Sequence, residues 1–177
     1  MHERTVKSKR IFSGRLLTLE VLDVELEDGR RSVREIIRHP GAVAALVRRA
    51  DGKFALIRQF RKPIEQEYVE IVAGGLKKGE RPAACARREI GEETGYGVRR
   101  LRSLGPILSS PGFSDEVIHL FYADLSTRLA NRSLDDDEHV EVVALTRSQI
   151  ERMIASGRIT DAKTLAAWLR AGQAGLL

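Results

Sequence analysis

Residues 74–96 read GGLKKGERPAACARREIGEETGY, and the fold is decided in this stretch. It opens on the pair Gly74-Gly75, and from Arg81 to Thr94 it turns rich in Ala, Arg and Glu, a helical composition. Gly95 stops the helix as the residue just past its C-terminus. Glu89, Glu92 and Glu93 fall at i, i+3 and i+4, so three carboxylates share one helix face. Their repulsion disfavours the bare helix by ~0.2–0.5 kcal/mol per like-charge pair. Converging oxygens of this kind are what a hard divalent cation such as Mg2+ or Mn2+ requires. Glu80, just ahead of the helix, is placed to join the cluster or to favour the helix N-terminus. Arg88 is placed to orient a neighbouring carboxylate through a bidentate bond. The plain alternative is a solvated helix face whose acids pair with Arg87, Arg88 and Arg99.

On the N-terminal side the chain reads as strands. Leu17, Leu19 and Val21 alternate with polar residues, and the phase slips at Leu22 before resuming at Val24, which suggests a bulge. Asp28-Gly29 signals a hairpin, with Ser32 to Arg38 as the returning strand. The apolar runs Ala42 to Arg48 and Phe54 to Phe60 flank Ala50-Asp51-Gly52, a second hairpin. Tyr68 to Ala73 forms a short strand running into the glycine pair. Beyond the helix, strands are expected at Val98 to Leu108, Val117 to Ala123 and Val140 to Leu145. Helices follow from Arg147 to Ser156, capped by Thr146, and from Asp161 to Ala171. Trp168 with Leu165 and Leu169 gives that last helix an apolar stripe. The pattern is α+β with a mixed sheet.

The whole chain has 177 residues, with 30 Lys+Arg against 25 Asp+Glu, enough for a sizeable core without disulfides. Its 42% hydrophobic content excludes wholesale disorder, and its longest apolar runs fall far short of a membrane span. The basic residues are dispersed, which argues for an anionic small molecule rather than nucleic acid. Cys85 is the lone cysteine, so no disulfide or cysteine-based zinc site is available, and it fits as a small core residue. Residues 1–10 carry four Lys or Arg and no apolar segment, so a cytoplasmic location is expected.

The spacing Gly74, five residues, Glu80, seven residues, Arg88-Glu89-Ile90, Gly91, Glu92-Glu93, Thr94, Gly95-Tyr96 resembles the box of the Nudix hydrolases. Eight of its nine specified positions match; the ninth, usually a bulky aliphatic, is Tyr96, a packing position rather than a ligand. The resemblance implies a Nudix α/β/α sandwich with a mixed sheet, plus a small N-terminal antiparallel sheet. It implies residues 1–40 as N-terminal strands that pair with a second subunit in a homodimer, and residues 41–177 as the catalytic domain. It also implies Mg2+, with Mn2+ or Zn2+ as alternatives, held by Glu89, Glu92, Glu93 and the Ala73 carbonyl. Glu92 is then a ligand or the carboxylate that orients water.

Further stretches resemble the ADP-ribose pyrophosphatases of that family. Ser110-Pro111-Gly112-Phe113 looks like their downstream signature, with Pro111 sixteen residues past Gly95. Read alone it is a loop with Pro-Gly turn chemistry. By the same resemblance Arg61, at the end of Arg58-Gln59-Phe60-Arg61, meets the substrate, and an arginine fork suits a diphosphate or a base. Glu70 matches a glutamate near the terminal ribose or the metals, against the plain reading of a charge on a strand's wet face. Arg34 and Glu35 match positions that contact the adenosine half. The acidic run 135–141, with five carboxylates and no Lys or Arg, matches a loop that closes on the substrate, with Glu138 as catalytic base and Asp136 next in line. The implied reaction is metal-dependent hydrolysis of ADP-ribose to AMP and ribose 5-phosphate. ADP-glucose or GDP-mannose is the alternative substrate, and a non-catalytic ADP-ribose-binding module the alternative class. No nucleic acid or membrane partner is expected.

Overall fold

The computed structural model describes residues 2–129 and 139–177. It divides into two compact units: Met1–Gly41 with Leu108–Val117, and Ala42–Ile107 with Ile118–Leu177.

The first unit is a three-stranded antiparallel sheet, β1 (Glu3–Ser13), β2 (Thr18–Leu26) and β3 (Arg31–Arg38), in that order. Gly29, at φ +80°, closes the β2–β3 hairpin as the Asp-Gly pair requires. The expected bulge at Leu22 is absent: β2 and β3 pair without interruption from Thr18–Arg38 to Glu25–Arg31. The register shifts lie in β1 instead, at Thr5/Lys7 and Arg10/Phe12. The slip in β2 reflects which side chains are buried, Leu22 and Val24, with Asp23 between them exposed. Residues 110–116 add to the end of β3, with a parallel bridge between Ile37 and Ser114 and the Ile37 N–H donating to the Phe113 carbonyl at 2.8 Å.

The second unit is built on a seven-stranded mixed sheet. Its central strand, β4 (Ala42–Arg48), is buried over Val43–Val47 because both faces are covered. Ala44 and Leu46 face one apolar cluster with α2 (Arg147–Ala155) and α3 (Ala162–Gln173). Val43, Ala45 and Val47 face another with α1 (Pro82–Thr94). This is the expected sandwich of helices on either side of a sheet. Trp168 meets Phe54 edge-to-face at 5.2 Å. Leu169, expected in the buried stripe, is 62% exposed; α3 packs instead through Thr164, Ala167, Trp168 and Ala171.

Strand pairing around β4 prepares the site. β4 is antiparallel to β5 (Phe54–Arg61) only over Val47–Arg48, then the two part. β6 (Gln66–Glu70) continues along β5, while β7 (Val72–Gly75) pairs with Ala42–Ala45 of β4. The expected single strand from Tyr68 to Ala73 is therefore two, broken at Ile71 where the chain changes partner. The Ile71 N–H leaves the ladder and donates to Thr164 Oγ1 of α3 at 3.0 Å, which keeps a buried backbone donor satisfied. On the other edge of β4 lies β9 (Val117–Leu129), parallel to it and flanked by β8 (Tyr96–Leu108); β10 (Val140–Leu145) pairs with β5. No helix among the described residues is long and apolar enough to cross a membrane.

Candidate active site

α1 forms where the sequence expects it. Pro82 supplies a preset φ in the first turn, and Gly95 at φ +74° closes the end, its N–H donating to Gly91 O at 2.9 Å. Cys85, Ala86 and Ile90 are buried against the sheet, and Glu93 lies on the same side at 5% exposure. The helix docks against β7 at the two glycines. Cys85 Sγ lies 3.4 Å from the Gly75 carbonyl, and Arg88 donates to the same carbonyl at 3.2 Å. The Glu89 carboxylate fills the space a side chain on Gly74 would need: a Cβ there would lie 2.0 Å from Glu89 Cδ. Burial pushes the Cys85 thiol up to about 12.

Arg88 organises the acids. It grips Glu80 through Nε and Nη2, both at 2.9 Å, while Nη1 reaches Glu89 at 2.6 Å and Glu92 at 2.9 Å. Glu80 also accepts from the Lys77 N–H at 3.1 Å. The Arg88 bond holds the Glu80 carboxyl down at about 2, and the same bonds raise the Arg88 guanidinium above its ordinary value. Pairing with Arg88 thus belongs to the plain reading of the helix, whereas Arg87 donates to the Val98 carbonyl and Arg99 lies against Asp124.

A second group converges at the β5–β6 end. Glu70 is 2% exposed, so it is not on a wet strand face. Its Oε1 accepts from Arg61 Nε at 2.7 Å and its Oε2 from Lys163 Nζ. Lys163 also bonds Asp161 at 2.7 Å, and Asp161 caps α3 by accepting from the Thr164 N–H at 2.9 Å. Burial works against the Arg61 charge, but Glu70, then Asp161 and Glu93, raise its pKa overall. That influence of Glu93 ties the box helix electrostatically to Arg61. Lys163 and Asp161 escaped the sequence reading because they stand more than ninety residues from Glu70, with no local pattern to link them.

The other expected residues fall as follows. Ala73 pairs with Ala44 in the β4–β7 ladder. Arg34, Glu35 and Pro111 belong to the first unit. Arg34 is bound to Glu3 at 2.5 and 3.0 Å and to Ser32 at 2.8 Å. Glu35 is exposed, as is Pro111, in a turn where Phe113 N and Ser114 N donate to Ser110 O. Glu138 and Asp136 lie outside the described residues.

Among the described residues no three His, Cys, Asp or Glu side chains are gathered tightly enough to hold a metal. The donors nevertheless fit a hard divalent cation. They are carboxylate oxygens, Gly74 leaves room for Glu89, and Glu89 and Glu92 already reach one cationic group, the Arg88 Nη1 nitrogen.

The model of the NUDIX domain matches residues 38–168. An "ADP-ribose pyrophosphatase" of Bacillus subtilis (strain 168) is 46% identical over 165 residues, covering 93% of this chain and 89% of that protein. A "Methanol dehydrogenase activator" of Bacillus methanolicus is 46% identical over 166 residues, covering 93% and 90%. A "GDP-mannose pyrophosphatase" of Klebsiella pneumoniae is 36% identical over 169 residues, covering 88% and 85%. The crystal structure of an "ADP compounds hydrolase" superposes with a TM-score of 0.86 at 21% identity, covering 100% of this chain and 98% of its own, a likeness of fold.

Proposed function

Since the chain belongs to the Nudix family, we propose that it is a divalent-metal-dependent hydrolase that splits ADP-ribose with water into AMP and ribose 5-phosphate. The observation that carries this reading is the docking of Glu89 into the space left by Gly74, beside Glu92 and Glu93 on one helix. The 46% identity to a protein named for this activity supports the substrate. Glu89, Glu92, Glu93 and the Ala73 carbonyl would hold Mg2+, with Mn2+ or Zn2+ as substitutes. When bound, such ions would neutralise the diphosphate oxygens and make water acidic enough to give up a proton and attack as hydroxide.

The chain's own residues complete the chemistry. Arg61 offers its fork to the diphosphate, and Glu70 holds Arg61 in place. The water oxygen forms the new bond to one phosphorus, the P–O–P bridge breaks, and the proton passes to a carboxylate, Glu138 or Glu92. Arg34 and Glu35 meet the adenosine half, and Pro111 contacts the substrate. Residues 1–40 form the subunit contact of a homodimer. The exposure of Ile11 and Phe12 on β1, at 50% and 55%, supports that. The single reduced cysteine suits the cytoplasm.

A second reading, GDP-mannose as substrate, is favoured by the relatives 36% identical to this chain. Product release from ADP-ribose, ADP-glucose, GDP-mannose and NADH, with and without Mg2+, separates the two. ADP-ribose is expected to lead in kcat/KM by about tenfold or more, ~1.4 kcal/mol of transition-state preference. If another compound leads, the substrate assignment fails and the hydrolase remains.

A further inference from the structure

Lys163 occupies the first turn of α3, where the helix dipole disfavours a cation, and no acidic side chain stands in that turn. Its side chain is nonetheless mostly buried, 13% exposed, and its ammonium engages Glu70 and Asp161 together. Replacing a buried ion pair by apolar groups is often neutral or stabilising, so stability alone does not account for it. Its position explains more. Glu70 has two oxygens: one fixes Arg61 through Nε, and Lys163 fixes the other. Arg61 is 40% exposed, and among the described residues its Nη1 and Nη2 donate to no side chain. Glu70 therefore clamps the guanidinium from behind while the fork stays open.

We propose that Lys163 is a positioning residue for substrate. By holding Glu70 against the N-terminus of α3, it sets the direction in which Arg61 presents its two terminal nitrogens to a nucleoside diphosphate. Lys163 itself does not touch the ligand. This rests on the proposed role of Arg61. A planar fork grips two phosphate oxygens only when its plane is fixed, and a carboxylate held at one oxygen alone is free to swing. Lys163 also offsets part of the Glu70 charge, so Arg61 keeps a positive field at its open end.

The test is calorimetric binding of ADP-ribose in EDTA, together with steady-state kinetics in Mg2+, on wild type, K163M, K163R and R61M. K163M should weaken binding and raise KM by about tenfold, the scale of one charge-assisted hydrogen bond, with kcat within about threefold. K163R should restore both to within about threefold, since it replaces the buried cation. Unchanged affinity in K163M, even with a lowered Tm, overturns the proposal and reduces Lys163 to a structural tie. Should K163M fail to fold, E70Q/K163M removes the stranded carboxylate; the same loss of affinity is expected, and wild-type affinity overturns the proposal. A wild type that binds ADP-ribose in EDTA but never hydrolyses it defeats the enzymatic reading while the Lys163 result still decides its own case. A wild type that neither binds ADP-ribose in EDTA nor hydrolyses it in Mg2+ defeats both.

Discussion

Replacing Gly74 by alanine separates the fold from the chemistry. Gly74 has no positive φ, so alanine brings no backbone strain, and its strand partner Val43 is undisturbed. The added Cβ would lie 2.0 Å from Glu89 Cδ and 2.1 and 2.4 Å from its oxygens, whereas ordinary contact begins near 3.4 Å. The carboxylate must retreat by about 1.4 Å or more, which it can do because it is the end of a flexible side chain. The 2.6 Å bond from Arg88 to Glu89 is lost, while Arg88 keeps Glu80 and Glu92. That loss is offset by the ~0.4–1 kcal/mol that Gly→Ala contributes through the unfolded chain, so the net change in stability should stay within about 1 kcal/mol, or about 2–4 °C in Tm. Activity should fall much further, because a displacement of ~1 Å at a reacting centre costs about 100-fold. The assay is AMP release from ADP-ribose across a Mg2+ titration, beside a melt followed by circular dichroism. G74A should match E89A in kcat/KM, and the double variant should lose no more than either single one, because both remove the same carboxylate from the same place. Losses that add in the double variant, or a G74A enzyme with wild-type metal dependence, would refute the reasoning.

Two further outcomes follow from the charges and burial around α1. Arg88 holds the folded-state pKa of Glu80 at about 2, below its ordinary 4.5, so this pair stabilises the protein fully above pH 4.5 and less as pH falls from there toward 2. Urea midpoints for wild type and E80Q should differ by a constant amount above pH 5 and converge below pH ~4; a gap that widens on acidification would contradict the pairing. Cys85 is fully buried and its thiol is pushed up to about 12, so a thiol-reactive chromophore at pH 8 should leave the native protein unlabelled and modify one thiol once it is unfolded. Rapid native labelling would show that α1 lifts from β7.

The box helix was legible because its determinants are local. Gly95 and the i, i+3, i+4 spacing of Glu89, Glu92 and Glu93 lie within two turns of each other, and the helix ends at that glycine. Continuous apolar runs also carried β4 and β5, which are buried over Val43–Val47 and Phe54–Ile57. The errors share a different cause. Leu165 and Trp168 pack on the core as their spacing expects, but Leu169 is exposed, because the buried stripe of α3 runs through Thr164, Ala167, Trp168 and Ala171. Likewise the break at Ile71 has no turn residue to announce it. It arises because β4 can accept β7 along one half of an edge while β5 holds β6 beyond the other.

That change of partner at Ile71 also limits how much of the site any motif can convey. The box specifies which groups line α1 and keeps a glycine where Glu89 must pass, so the donor chemistry is written in one segment of 23 residues. The orientation of Arg61 is written elsewhere. It depends on Glu70 ending β6 just before the chain crosses from β5 to β4, and on a lysine 93 positions further on arriving from α3. Contacts of such separation leave no period and no spacing in the sequence, because closing a long loop costs only slowly more with length and so any distant residue can serve. A chain with every box glutamate intact but an apolar residue at 163 would thus keep the metal donors on α1. It would differ in how firmly the Arg61 fork is aimed, a difference to be sought in KM rather than in kcat.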